Sequence, residues 1–481
     1  MPEPDTFIHM KRITLIFLAF FPFLTASGQA EKLYGGVAQL DITPKTGYPH
    51  YRNFGTAIDD SLYVKALVFR QGKAEWAIAV CDLLWIEREL SADVRVAVSA
   101  KTGIPYDNIM LTATHTHTGP AYHGNIYELN NHIRKFDGTE EEAIGMNGYP
   151  AFLKARITEA IVKAHESLAP VTVRQVTDSV TNLSFNRRYI MKDGKVRTNP
   201  GKGNPDIVKT AGPIDPELHM LFVERASDKS LIGVVSNFAV HSDTYGGTAF
   251  SADYPGVLAR RLAEKMKGSF VSIFLQGASG DLNHFNVKKD SEPLTTDKIG
   301  SGLAERVAKS RSAGRMIPKA RLGAASEFVY APLQAYNKGE LSWAKDADAE
   351  SPYGETGLFK LRRPMKIRSL ERIRQQEAIP PTIGTEAWTL PVEVQVFRLS
   401  DDVAVVGLPG EIFADLGLAI KKASPFKTTL FVELTNSHIA YVPTKKAFSQ
   451  GSYETLNSRL APGGGELMVE SAIRQLKELK R

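Results

Sequence analysis

The sequence predicts an α/β fold in which mixed β-sheets are flanked by helices. Apolar runs of strand length alternate along the chain with amphipathic runs of helix length. Several apolar runs end directly before polar or glycine-rich segments, and such strand ends are where α/β proteins place ligand sites. The 481 residues have an ordinary globular composition, with 43% hydrophobic and 23% charged residues, so the chain can bury a large core.

Hydrophobic periodicity and turn residues assign the elements in order. Two strands pair across a glycine-containing turn, and Pro255 marks the start of a later helix. The polar segment 337–389 is expected to form a helical insertion or a lid. The predicted strands are 67–69, 76–80, 108–115, 231–238, 271–275, 392–399, 403–407 and 428–434, and the predicted helices are 90–101, 150–168, 257–266, 411–423 and 466–480.

Residues 1–30 have the pattern of a bacterial export signal. Lys11 and Arg12 precede an apolar run from Ile13 to Leu24, and small residues follow up to Ala30. The apolar run is too short for a comfortable membrane span. We therefore expect a secreted or periplasmic protein whose residues 31–481 form a single domain without a stable membrane anchor.

Charge and cysteine usage narrow the classes of function. The net charge is only +6, and Lys and Arg are dispersed apart from residues 360–374, which argues against a nucleic-acid partner. Cys81 is the only cysteine and lies in an apolar strand pattern, which favours a buried core thiol over a nucleophile. Neither feature predicts an oligomeric state.

The segment from Leu111 to Pro120 contains two histidines two residues apart at the end of an apolar run. Alternate residues of a strand share a face, so His115 and His117 are expected to point the same way. Imidazole is the commonest zinc ligand in proteins. An isolated pair of this kind is more often two polar side chains on a wet strand face, so a metal site needs further ligands.

Other candidates are dispersed along the chain rather than grouped in a short zinc motif. His241 follows an apolar strand, Glu411 follows Pro-Gly, and Tyr441 lies twelve residues before Tyr453. Each has an ordinary structural explanation, such as a hydrogen-bonded strand end or a carboxylate at a helix start. Spacing alone therefore leaves their role open.

Together these segments resemble the neutral, non-lysosomal ceramidases and their bacterial relatives. The similarity lies in His-Thr-His-Thr-Gly-Pro, Leu-Pro-Gly-Glu and Tyr-x-x-Thr with a later Tyr-Glu, and it runs from about Gly35 to the closing helix. The resemblance implies the fold of a ceramidase catalytic domain with a bound zinc ion. It implies the zinc ligands His115, His241, Glu411 and Tyr441, and the catalytic residues His117, Arg187, Asp281 and Tyr453.

The chemistry of these residues agrees with the resemblance. Imidazole, carboxylate and phenolic oxygen ligands suit zinc, which activates a bound water. Arg187 is expected to stabilise developing negative charge, and Asp281 to orient a histidine.

The chain departs from the ceramidase pattern in two respects. The family has Gly-Asp-x-Ser-Pro-Asn, but Asn283 occupies the position of the serine and His284 that of the proline. An amide cannot form an acyl-enzyme, and Ser279 is a poor substitute, so we expect attack by metal-activated water, with Asn283 binding a substrate carbonyl or hydroxyl. The second departure is that the chain ends at Arg481, before the further β-sandwich domain of full ceramidases.

The leading hypothesis is a secreted zinc-dependent hydrolase that cleaves an amide, or else an ester, in a small-molecule or lipid substrate. The alternative is a carbohydrate-active metalloenzyme, such as a deacylase, glycosidase or lyase, in which His117, Tyr453 and His284 transfer protons to or from a glycan. A third hypothesis is a non-catalytic binding relative.

Overall fold

The computed structural model describes residues 31–51, 54–122, 140–346, 357–381 and 387–481. The predicted export signal 1–30 lies outside these residues. Residues 32–481 form one compact unit. Among the helices in the described ranges, none combines the length and apolar character that a membrane crossing requires.

The described residues of this unit include twenty strands, most of which are largely buried. They are β1 (Tyr34–Asp41), β2 (Tyr63–Gln71), β3 (Ala74–Cys81), β4 (Ile109–Ala113), β5 (Ala169–Ser179), β6 (Phe185–Asn186), β7 (Arg188–Met191), β8 (Val196–Thr198), β9 (Ile207–Thr210), β10 (Glu217–Arg225), β11 (Leu231–Phe238), β12 (Val271–Gln276), β13 (Leu282–Asn283), β14 (Arg315–Met316), β15 (Ala320–Pro332), β16 (Thr389–Ser400), β17 (Val403–Gly407), β18 (Glu411–Ile412), β19 (Thr428–Val432) and β20 (Tyr441–Val442).

The helices lie between these strands in the chain. They are α1 (Arg88–Thr102), α2 (Glu140–Glu166), α3 (Asp253–Lys265), α4 (Thr296–Ser310), α5 (Lys338–Lys345), α6 (Gly357–Gln376), α7 (Ala414–Ala423), α8 (Lys445–Gln450), α9 (Tyr453–Asn457) and α10 (Gly464–Lys480). Within segment 337–389, the described residues thus form α5, α6 and the start of β16.

The larger sheet has the strand order β12-β11-β10-β5-β1-β2-β3-β4, and β14 pairs with β5. The pairs β11/β12 and β3/β4 are parallel, and the other pairs along this order are antiparallel. A second sheet has the order β15-β16-β17-β19, with β17 and β19 parallel. The mixed sheets predicted from the sequence are therefore confirmed.

The two sheets pack face to face, and helices cover their outer faces. Alternate residues of β3 show this, because Ile78 packs between the sheets whereas Ala77 packs on the core beneath α1 and α2. Trp76 stacks on Phe397 of the second sheet at 5.2 Å between ring centroids and donates a hydrogen bond to the Arg398 carbonyl.

Most predicted elements are confirmed, including the β2/β3 and β16/β17 hairpins and the closing helix α10. Cys81 is fully buried in β3, as expected. Two predicted element boundaries were wrong, one at the end of a strand and one at the start of a helix. The strand predicted to reach residue 115 ends at Ala113, and the helix predicted from residue 411 begins at Ala414, because residues 411–412 pair with β20 instead.

Candidate metal centre

The curvature of the large sheet brings distant segments of the chain to one place. Its two edge strands, β4 and β12, are in contact with each other, and β19 of the second sheet contacts β12 and β11. Asn237 at the end of β11 fixes this junction, since its side-chain amide donates to the carbonyls of Leu275 in β12 and Phe431 in β19. The loops after β4 and β11 therefore open onto a common centre.

His115 lies two residues beyond the end of β4, in a left-handed backbone conformation with φ 64°. The expectation that His115 and His117 share the face of a strand was therefore wrong. Their rings nevertheless converge, and the two Nε2 atoms are 3.4 Å apart. The left-handed turn at His115, rather than strand alternation, produces this arrangement.

The tautomers of His115 and His241 are set by backbone carbonyls. Nδ1 of His115 lies 2.8 Å from the Leu84 carbonyl, and Nδ1 of His241 lies 2.9 Å from the Ser279 carbonyl. A carbonyl only accepts, so each Nδ1 carries a proton, and in its neutral form each ring presents an Nε2 lone pair to the centre. The two Nε2 atoms are 3.2 Å apart and both rings are buried.

Glu411 completes this cluster. Its Oε2 atom lies 3.5 Å from Nε2 of His115 and 3.3 Å from Nε2 of His241. The same oxygen is buried and has no hydrogen-bond partner within the described part of the chain. A buried carboxylate oxygen facing two nitrogen lone pairs is unfavourable without a cation between them, so this donor set fits a metal ion.

The ionisation states agree with a metal site. Burial lowers the pKa of His241 to about 4, and the positive charge of Arg187 acts in the same direction. Burial by itself would raise the pKa of Glu411, but hydrogen bonds from protonated forms of the facing imidazoles of His115, His241 and His438 hold it well below its usual value. Burial would lower the pKa of His115, but the Glu411 carboxylate raises it above its usual value. At neutral pH the cluster therefore offers a neutral imidazole and a carboxylate, which are the forms that bind metal.

The residues His115, His241 and Glu411 are called the metal cluster below, although no ion is part of the definition. His117 was expected to be catalytic, but it lies close enough to this cluster to be a further ligand. Potential ligand atoms of His115, His117 and His241 all lie within 4.8 Å of one another. His117 is also the least buried of the three, and its Nδ1 is 3.8 Å from a carboxylate oxygen of Asp243. It can therefore either bind a metal or exchange protons with a bound molecule.

Tyr441, the fourth expected ligand, lies directly beside Glu411. The two residues are partners in the short parallel ladder of β18 and β20. The Tyr441 ring is parallel to that of His241, with 6.5 Å between centroids, and it lies 5.7 Å from the ring of Tyr453. Burial and the Glu411 carboxylate raise the pKa of its phenol well above the usual value, and the positive charge of Arg187 opposes this rise.

Arg187 is held in place by several contacts. Its Nε donates to Glu454 at 2.8 Å, and its terminal nitrogen donates to the Gly280 carbonyl at 2.7 Å. The guanidinium carbon lies 5.3 Å from the ring of Tyr441 and 5.9 Å from that of Tyr453. The predicted Arg187 and Tyr453 thus both border the metal cluster.

The side chains of Asp281 and Asn283 make hydrogen bonds with residues outside the cluster. Asp281 accepts hydrogen bonds from the Asn186 side chain and the Ala414 backbone. The expectation that Asp281 orients a histidine is therefore wrong, because backbone carbonyls fill that role. Asn283 donates to the side chain of Asn199 at 2.8 Å, so it supports the wall of the site.

A cavity of about 780 Å³ opens beside the cluster. His117, Arg187, His241, Tyr441 and Tyr453 line it, as the sequence hypothesis requires. Several other described residues that line the cavity were not predicted from the sequence, because they belong to none of the recognised motifs. They include Tyr51, Asn199, Asp243, Arg362 and Ser452. Only Arg362 had an indirect signal, because it lies in the charged segment 337–389.

Comparison with known proteins agrees with this architecture. The chain is 25% identical over 478 residues to neutral ceramidase of Pseudomonas aeruginosa, covering 89% of this chain and 67% of that protein. It is 22% identical over 471 residues to neutral ceramidase of Mycobacterium tuberculosis, covering 85% of this chain and 70% of the other. Neutral ceramidase B of Dictyostelium discoideum is 29% identical over 270 residues, which is 52% of this chain and 34% of that protein.

The fold is shared with a solved structure. The crystal structure of neutral ceramidase from Pseudomonas aeruginosa superimposes with a TM-score of 0.66 at 20% sequence identity, covering 94% of this chain and 75% of that chain. Residues 34–295, more than half of the sequence, match the family model described as neutral/alkaline non-lysosomal ceramidase, N-terminal. The chain therefore belongs to the neutral/alkaline non-lysosomal ceramidase family.

Proposed function

We propose that this protein is a zinc-dependent, ceramidase-like hydrolase that cleaves an amide or ester bond by direct attack of water. The observation that carries the proposal is the convergence of two buried imidazole lone pairs on the Oε2 atom of Glu411, which lacks a hydrogen-bond partner among the described residues. Family membership supports the hydrolase class.

The zinc ion would be held by His115, His241 and Glu411, with Tyr441 as the fourth expected donor and His117 next to them. A zinc ion in such a site supplies Lewis-acid activation of water and of a substrate carbonyl. Zinc fits these ligands because nitrogen and oxygen donors of this kind are typical of zinc hydrolases.

We infer direct attack by water because the hydroxyl of Ser279 is not available as a nucleophile. Ser279 is fully buried, accepts a hydrogen bond from Gln276 and donates one to Glu433 at 2.5 Å. Its oxygen is therefore fixed within the protein rather than directed into the cavity, and Asn283 cannot replace it as a nucleophile. Neither position thus supplies a hydroxyl that could form an acyl-enzyme.

Three groups on the cavity wall can transfer protons or stabilise charge. His117 can accept a proton from the attacking water, since its other nitrogen faces Asp243. Burial raises the pKa of Tyr453, so its phenol stays protonated at neutral pH and can donate a hydrogen bond to a carbonyl or leaving group. Arg187 adds positive potential at the same wall.

We further propose that residues 1–30 direct export and that residues 31–481 act as one catalytic domain. The names of the relatives make ceramide the first substrate to test. The second candidate, a carbohydrate-active metalloenzyme, is favoured by the polar wall of the cavity, where hydroxyl, amide and charged side chains outnumber aliphatic ones among the described residues.

The test is a substrate panel on zinc-loaded protein. The panel contains a fluorescent short-chain ceramide, acylated sugars and intact or unsaturated oligosaccharides. Turnover of the ceramide or an acylated sugar that stops with a chelator and returns with zinc supports the hydrolase. Cleavage of a glycosidic bond alone supports the second candidate, and binding without turnover supports the non-catalytic alternative.

A further inference from the structure

The cavity beside the metal cluster carries an excess of positive charge. Four cationic side chains border it, but among the described residues that line it Asp243 is the one carboxylate; the cations are Arg187, Lys195, Arg197 and Arg362. Val196 is the one aliphatic side chain on this described wall. The cationic side chains of this wall can bind an acidic group, while its tyrosine rings supply apolar surface for the rest of a substrate.

The four cations differ in their partners. Arg187 is paired with Glu454 at 2.8 Å, and Arg197 with Asp193 at 3.0 Å. Arg362 is half-buried, and the groups that act on it most strongly are the phenols of Tyr453, Tyr51 and Tyr441. Phenols are neutral at physiological pH, so they do not balance the guanidinium charge.

A second buried arginine adds to this excess. Arg459 is 7% exposed, and its hydrogen bonds go to the Ser369 hydroxyl and the Asn457 carbonyl. Burial lowers its pKa to about 10, and the positive charges of Arg372 and Arg362 contribute. Uncompensated cations inside a protein are costly unless an anion joins them.

The helix α6 presents these groups together. Arg362, Ser369 and Arg372 are separated by seven and three residues, which places them along one face of a helix. Arg362 borders the cavity beside His117 and His241, whereas Ser369 and Arg372 border a second, smaller cavity that is also lined by Arg459 and by the carboxylates of Glu87 and Glu377. Arg362 is therefore the charge of this helix that faces the reaction centre.

We propose that Arg362 binds an anionic group of the substrate, so that the natural substrate is an acidic molecule rather than a neutral ceramide. The group is a carboxylate, sulfate or phosphate, which a guanidinium binds through two parallel hydrogen bonds. This inference rests on the proposed function, because it assigns the substrate class to the same cavity. Both an acidic amide lipid and an acidic sugar provide this chemistry.

The experiment measures dissociation constants on zinc-loaded protein for two matched pairs of probes. N-octanoylglycine and N-octanoylethanolamine share an amide and differ in a carboxylate against a hydroxyl. Methyl glucuronoside and methyl glucoside differ in the same way. We expect the acidic member of at least one pair to bind ten-fold or more tightly than its neutral partner, and the pair that shows this identifies the source.

Three variants test whether Arg362 causes this preference. Arg362→Gln should abolish it without weakening the neutral probe, and Arg362→Lys should retain part of it. Lys360→Gln, an exposed cation on the same helix, is the matched control and should leave it unchanged. Equal binding within both pairs, no binding of either acid, or a preference that survives Arg362→Gln would overturn the inference.

The same preparations separate this inference from the proposed function. Zinc content and hydrolysis of the short-chain ceramide are measured on each variant. Protein that retains zinc and turns over neutral ceramide but does not prefer acids would refute the acidic substrate alone. Protein that binds no zinc would refute the proposed function instead.

Discussion

Glu411 and Tyr441 are directly opposite each other in the two-residue parallel ladder formed by β18 and β20. Thirty positions separate them in the sequence, yet backbone pairing fixes one carboxylate and one phenol side by side at the metal cluster. Gly410 precedes this ladder with φ 86°. The position of a proposed metal ligand therefore depends on the backbone conformation of a residue that supplies no ligand atom itself.

Gly410→Ala should lower zinc affinity and destabilise the fold. A Cβ atom there would lie 2.6 Å from the Ala440 carbonyl oxygen, and the left-handed conformation adds strain of about 1–2 kcal/mol. Gly47→Ala is the control, because Gly47 has φ 87° but a Cβ atom added to it would meet no described atom within 4 Å. Competition of the zinc-loaded proteins with a chelator measures the affinity, and equal zinc retention in both variants would contradict the prediction.

His115→Ala and His241→Ala should each abolish zinc retention through dialysis. Each change removes a ring whose Nε2 faces Glu411, and the loss of one buried imidazole ligand should lower the affinity for zinc enough for the ion to be lost. His165→Ala is the control, since His165 lies on α2 and faces Glu75 at 3.3 Å. Elemental analysis gives the result, and full zinc occupancy in the His241→Ala protein would show that the ligand assignment is incorrect.

Asn283→Ala should keep the zinc and lower turnover. Asn283 does not contact the metal cluster, but its side chain positions Asn199 on the cavity wall through a 2.8 Å hydrogen bond. Asn199→Ala should therefore reproduce most of the defect, and the double variant should be little worse than either single one. Steady-state kinetics with zinc analysis provides the test. Additive losses in the double variant would mean that Asn283 acts on the substrate by another route.

Glu433→Gln should flatten the dependence of stability on pH in the metal-free protein. Burial raises the pKa of Glu433 from 4.5 to about 8. The native state therefore keeps a proton that the unfolded chain releases, so the contribution of Glu433 to stability is greatest below pH 4.5 and is lost as the pH rises towards 8. The loss is on the order of 4 kcal/mol, at about 1.4 kcal/mol per unit of pKa.

Urea unfolding at several pH values measures this effect. The free energy of unfolding of the unmodified protein should fall between pH 5 and 8 by several kcal/mol more than that of Glu433→Gln. The substitution preserves the shape of the side chain and its hydrogen bonds to Ser279 and Ile412. Parallel pH profiles for the two proteins would mean that Glu433 is already ionised in the native state.

Local pattern in the sequence marked the segments of the site, whereas the ligand roles of their residues were implied by the resemblance to the ceramidases. His115, His241 and Glu411 each stand at the end of an apolar run or after Pro-Gly, and such positions can be recognised in one dimension. The convergence of these three residues could not be predicted, because it depends on the curvature of the large sheet, which brings β4 against β12. The residue types indicated metal chemistry, and the fold supplied the common centre.

Other errors had the same origin. A carboxylate after Pro-Gly is typical of a helix start, but Glu411 enters a strand because Tyr441 is available as a pairing partner. Asp281 was expected to orient a histidine, although the Leu84 carbonyl already accepts from Nδ1 of His115 and the Ser279 carbonyl from Nδ1 of His241. Every residue has a backbone carbonyl, so the sequence does not show which carbonyls accept these hydrogen bonds.

The most direct test of the metal centre is anomalous diffraction from crystals of the zinc-loaded protein, recorded above and below the zinc absorption edge. We predict one strong peak, present only above the edge, bonded to Nε2 of His115, Nε2 of His241 and the carboxylate of Glu411. No peak among these three residues in zinc-loaded crystals, or a sole peak elsewhere on the protein, would contradict the account.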